Sequence, residues 1–98
     1  MNRVAVKTWV AVALAIKAGL VPVVSSNVHS IGYDRESKTL YVRFKDHFIK
    51  SRSEWTRGGL YRYLDVPEQI FQDLKNAESI GSYLHWHIKE NFDYEEIV

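Results

Sequence analysis

The chain has 98 residues, 46% of them hydrophobic and 26% charged, a balance that fits one globular domain with a small core and argues against disorder or a second domain. It has no cysteine, which excludes disulfides and thiolate metal sites and favours an intracellular, cytoplasmic location. Net charge is only +1, yet residues 35–62 carry eight Lys/Arg against three acids and residues 63–98 carry two against eight, so a basic middle is joined to an acidic end.

Residues 3–24 are mostly apolar. A membrane-spanning helix needs about 20 apolar residues; Lys7 and Lys17 leave only residues 8–16 between them, so no membrane span is expected. The same lysines disfavour a secretory signal. On a helical wheel Arg3, Lys7 and Lys17 share one stripe, the apolar remainder includes Trp9, Val12 and Ile16, and Gly19 and Pro22 follow as terminators. The even positions from Val4 to Ile16 satisfy a strand period as well. The alanines at 5, 11, 13, 15 and 18 favour helix, because alanine is a poor strand former. A helix apolar around most of its circumference has to bury more than one face, against a second chain or an extra arm.

Residues 28–33 read as a strand, 34–38 as a polar turn and 39–45 as a second strand. In the latter Leu40, Val42 and Phe44 face one way and Tyr41, Arg43 and Lys45 the other. Residues 46–57 hold Phe48, Ile49 and Trp55, too bulky for a solvated loop, around a polar tip at 51–54, and read as a hairpin. Residues 60–64 form a third strand. Pro67 at a first helical position and Glu68 beside it start a helix with Ile70, Phe71 and Leu74 as its apolar stripe. A further helix runs over 80–91 with Ile80, Leu84, His87 and Ile88 on one face, and the acidic tail 93–98 is expected to fray. The fold class is α+β: a three-stranded antiparallel meander with two C-terminal helices and an additional N-terminal helix.

The order Ser25-Ser26, Ile31-Gly32-Tyr33-Asp34, Leu40-x-Val42-x-Phe44, Gly59-x-Tyr61-x-Tyr63, Val66-Pro67 and Ala77-x-Ser79-x-Gly81-x-Tyr83 resembles the KTSC domain, a module named for the C-terminus of some lysyl-tRNA synthetases. Its hallmark is a central Tyr-x-Tyr, here Tyr61-Arg62-Tyr63. The resemblance implies a suspected RNA-binding role and no known chemistry. On this division residues 1–24 are an apolar helix and lead-in, and residues 25–98 are the KTSC-like domain with a hairpin inserted at 46–57. The helix and the hairpin, both outside the family pattern, are expected to bury each other within one chain or across a dimer.

Several candidate sites follow. Tyr41, Arg43 and Lys45 project together from one sheet face, and Arg62 joins them if Tyr61 and Tyr63 face the helices. Aromatic rings stack on bases and cations neutralise phosphate, so this face, with Arg52 and Arg57 on the hairpin, is a candidate platform for RNA or single-stranded nucleic acid. The bland alternative is a solvated face with a cross-strand tyrosine. Tyr61 and Tyr63 share a face by period two; they are either a stacking pair or core rings packed on Leu40, Val42 and Phe44, and the need to cover that strand favours the core. Ser79, Gly81 and Ser82 suit an anion or, more plainly, a helix cap and close packing. Ser25, Ser26 and Asn27 read as a polar loop in the same cleft or as caps at a strand entry.

Trp9, Phe48, Trp55 and Trp86 are candidate interface residues, which gives the alternative function of a protein–protein interaction or self-assembly module, with a homodimer as partner. His85 and His87 lie on opposite sides of a helix, and His29 and His47 lack ligand-spaced partners, so no metal and no cofactor is expected. No nucleophile or paired-carboxylate signature is present, which points to a non-enzymatic binding module.

Overall fold

The computed structural model describes residues 8–97. Helix α1 (Thr8–Ala18) leads into a short strand β1 (Val21–Pro22), followed by β2 (Val28–Asp34) and β3 (Thr39–Phe44). The arm β4 (His47–Ile49) and β5 (Glu54–Thr56) is closed by a 3-10 turn at Lys50–Arg52, and β6 (Leu60–Tyr63) returns to the main sheet. Helix α2 (Glu68–Lys75), the short α3 (Ile80–Tyr83) with its π-helical continuation Leu84–Ile88, and strand β7 (Tyr94–Glu96) complete the chain. The part of the expected N-terminal helix before Thr8, with Arg3 and Lys7, lies outside the described residues.

The three expected strands form the centre of a five-stranded antiparallel sheet ordered β1-β2-β3-β6-β7, and β4-β5 is a separate two-stranded sheet. The alternation in β3 carries across to β6: Leu40 opposes Tyr63 and Val42 opposes Tyr61. These residues, with Val28 and Ile31 of β2, face Leu74, Ile80, Leu84 and Ile88 from the C-terminal helices and form the main core. Burying a Leu or Ile side chain in such a core stabilises it by about 1.5–3 kcal/mol. Val28 and Ile31 are three residues apart yet share this face, because the β2–β3 register shifts between Val28 and Ser30 and a bulge at His29 reverses the alternation.

The opposite face is not open. Helix α1 lies on it, and Ala15 packs with Tyr41 and Leu60 in a second, smaller core flanked by Ala18, Leu20 and Ile97. Small residues at Ala11 and Ala15, both buried, allow the helix backbone to approach the sheet closely. Gly19 ends the helix at φ +80°, a conformation that costs glycine little, with its N–H donating to Ile16 O at 3.0 Å.

Four local expectations need correction. The tail does not fray: residues 94–96 add a strand to β6. Pro67 is the extended residue before α2 (φ −61°, ψ 146°) rather than its first helical residue. The expected helix over 80–91 widens after one turn, with Lys89 N–H donating to Leu84 O at 3.0 Å across five residues. Within one chain the N-terminal helix and the hairpin do not bury each other's bulky residues, since Trp9 stays 72% and Trp55 71% exposed, which leaves burial across a dimer as the remaining form of that expectation. Phe48 and Trp55 instead meet edge-on across the hairpin, ring centroids 5.5 Å apart.

Candidate functional site

The proposed sheet-face platform is largely closed. Tyr41 is only 1% exposed, held under α1, so its ring cannot stack on a base. Arg62 Nε meets Glu95 Oε1 at 2.5 Å with both side chains largely buried. Arg43 is half-buried on the same side of β3. Period two correctly paired these residues; what occupies the face is a helix of this chain rather than a ligand.

A broad cleft lies on the other side, at the open end of the main core. It has a volume of about 520 Å³ and runs between the base of the hairpin, the β6–β7 edge and the end of the C-terminal helix. One wall is aromatic. Phe44 meets Tyr61 edge-on at 5.5 Å (86° between planes), Tyr61 lies 6.0 Å from Tyr94, and Tyr94 lies 5.8 Å from Tyr63. Lys45, Arg57 and Lys89 line the same cleft, together with Asp46, His47 and Glu96. Lys45 is on the wall because β3 ends at Phe44, so strand alternation no longer places it with Tyr41. Its Nζ donates to Ser25 O at 2.6 Å. Lys89 Nζ sits 5.9 Å from the Phe44 ring centroid, within cation–π reach.

The hairpin is held to this wall at its feet. Gly58 N–H donates to Asp46 Oδ1 at 2.9 Å, and Phe44 N–H to Gly59 O at 2.9 Å. That cross-link engages one of the cleft's acids and positions Arg57 beside it. At the far end Arg52 pairs with Glu54 at 3.1 Å, both exposed, so it stands at the hairpin tip outside the cleft.

Tyr63 combines a core position with the cleft wall: it is 2% exposed yet reaches the lining. Burial pushes its phenol up to about 12, with Tyr61 and Tyr94 adding to the shift. It therefore stays neutral, a hydrogen-bond donor, at any physiological pH. Tyr61 is only half-buried and offers the more accessible ring.

A second recess of about 340 Å³ adjoins the first and shares Ser26, Asn27 and Lys89 with it. Its remaining wall includes Ser79, Gly81, Ser82, His85 and Trp86. Ser79 caps the short helix, its Oγ accepting from Ser82 N–H at 3.2 Å. Gly81 faces Asn27, whose Oδ1 would lie 2.5 Å from a Cβ there. Close packing thus accounts for the glycine. Ser25 acts locally as well, since its Oγ accepts from Val28 N–H at 3.2 Å and opens β2. Ser26 and Asn27, by contrast, line both recesses.

Lys89, Phe44, Tyr94 and Glu96 were absent from the site read from the sequence. Residues 94–96 carry no period-two pattern of their own, and the strand forms by pairing with β6. Among the described residues no group of three or more His, Cys, Asp or Glu could hold a metal ion, and no helix is long and apolar enough to cross a membrane.

Comparison with known proteins places this architecture. The KTSC domain model matches residues 24–92, and the chain belongs to the KTSC domain family. The crystal structure of a KTSC domain protein from Yersinia pestis superposes with a TM-score of 0.65 at 33% identity, covering 81% of this chain and 96% of that one. A protein of Tsukamurella paurometabola is 35% identical over 71 residues, 72% of this chain and 90% of its own length. A lysine–tRNA ligase of Nostoc sp. is 41% identical over 44 residues, which are 45% of this chain but 8% of the ligase.

Proposed function

We propose that this protein is a small, non-enzymatic, cytoplasmic binding module whose ligand is RNA or another single-stranded nucleic acid, held in the cleft rather than on the sheet face. The observation that carries this reading is the convergence of Lys45, Arg57 and Lys89 with Phe44, Tyr61 and Tyr94 in one recess. Aromatic faces stack on any base, at about 1–3 kcal/mol each, while cations at the rim hold the backbone. The lysine–tRNA ligases that share this segment bear a name that specifies tRNA, which supports the same ligand class.

Salt dependence tests it. Three phosphate contacts on a single strand give a slope near −0.7 each, so raising salt from about 50 to about 200 mM weakens binding about twentyfold. Fluorescence anisotropy with a short mixed-sequence RNA measures this directly. An affinity indifferent to salt, or no binding at low salt, would sink the proposal.

A second reading has its own observation. Trp9, Trp55 and Trp86 are each more than 70% exposed and Phe48 is 47% exposed, more aromatic surface than solubility favours. Self-association through α1 or the hairpin predicts a dimer by sedimentation that Trp9→Ser and Trp55→Ser together dissociate. A monomeric wild type at high concentration removes this reading.

A further inference from the structure

We infer that the two adjoining recesses are successive nucleotide subsites and that the minimal ligand is a dinucleotide step: one base against Phe44, Tyr61 and Tyr94, the linking phosphate at Lys89, and the next base on Trp86. This inference rests on the nucleic-acid reading above. Both recesses, about 520 and 340 Å³, are of the size that small ligands fill. Lys89 belongs to both walls, as do Ser26 and Asn27, so a cation and two hydrogen-bonding side chains stand where one recess passes into the next.

The second recess carries its own stacking surface. Trp86 is 73% exposed on the π-helical turn, and its indole is braced edge-on by His85, with ring centroids 4.9 Å apart. An indole this exposed leaves ring surface open for a base to stack on. The hydroxyls of Ser79 and Ser82, bonded to each other at 3.0 Å, supply polar groups beside it. The first recess has aromatic walls and three cations and the second has one aromatic, one shared cation and hydroxyls. That sequence of groups alternates base-binding and phosphate-binding chemistry along a single path.

The test is an NMR titration of the labelled full chain with a nucleoside monophosphate, the corresponding dinucleoside monophosphate and a hexamer, at low salt. The dinucleoside monophosphate is expected to bind about tenfold more tightly than the mononucleotide, with shifts at both Tyr61 and Trp86. Trp86→Ala, at an exposed position, is expected to lower dinucleotide affinity to that of the mononucleotide. Equal affinities for the one-base and two-base ligands, or a Trp86→Ala variant that binds both as wild type does, would overturn the inference and leave the cleft reading standing. No binding by any of the three, the hexamer included, overturns the cleft reading and the inference with it.

Discussion

Arg62 and Glu95 stand directly opposite each other on β6 and β7, and their side chains meet at 2.5 Å with 16% and 7% of their surface exposed. The pair fastens the C-terminal strand to the sheet and takes Arg62 out of the set of cations available to a ligand. Removing one partner leaves a charge buried without its counterpart, which costs about 3–5 kcal/mol in comparable pairs. Glu95→Ala is therefore expected to lower the urea midpoint strongly, and Arg62→Met with Glu95→Leu to recover most of the loss. If Glu95→Ala is no less stable than the double variant, the pair is not a structural bond.

Much of the site's frame was legible from local pattern. Period two alone places Tyr61 and Tyr63 with Leu40, Val42 and Phe44, because a pleated strand leaves side chains no other choice. Which element covers the opposite face was not legible. An almost wholly apolar helix offers no stripe to orient it, so nothing near residues 8–18 says that Ala15 would sit against Tyr41. The strand at 94–96 was hidden for a related reason. Its acidic composition reads as a tail until Arg62, more than thirty residues earlier, is known to be its partner. Lys89 and Tyr94 enter the cleft through a π-helical turn and that strand, both set by tertiary contacts rather than local propensity.

Tyr63 makes stability depend on alkaline pH. Its phenol titrates near 12 in the fold and near 10 in the unfolded chain. Below pH 10 both states keep the proton and full stability is present. Between about pH 10 and 12 the unfolded chain releases a proton that the folded chain holds, so stability falls as pH rises. The loss attributable to this group is about 2 kcal/mol across that window. Urea titrations at about pH 9 and 11.5 should show a shallower decline for Tyr63→Phe than for wild type. Equal declines would assign the alkaline sensitivity to other groups.

Two glycines at the cleft differ in what they guard. A Cβ at Gly58 would lie 2.3 Å from the carbonyl oxygens of both Phe44 and Lys45, which are backbone and cannot turn aside. Gly58→Ala is thus expected to cost about 1–3 kcal/mol and to loosen the foot of the hairpin that carries Arg57. A Cβ at Gly81 would meet the side chain of Asn27, which is exposed and can rotate. Gly81→Ala should cost less than about 1 kcal/mol. Thermal denaturation of the two variants orders them; the reverse order would mean that Asn27 is held more firmly than its exposure suggests.

Lys89 is the cation shared by both recesses, and Arg52, paired with Glu54 at the hairpin tip, is the natural control. An exposed lysine on the last turn of a helix contributes little to folding, so Lys89→Ala should retain wild-type stability within about 0.5 kcal/mol. If it holds a phosphate, its loss should weaken single-strand binding at low salt and flatten the slope of log affinity against log salt by about 0.7. Arg52→Ala should leave both nearly unchanged, because its guanidinium already faces a carboxylate outside the cleft. Anisotropy titrations at three salt concentrations separate the two variants. A slope lost in Arg52→Ala and kept in Lys89→Ala would move the ligand from the cleft to the hairpin tip, where Phe48 and Trp55 would become the stacking pair.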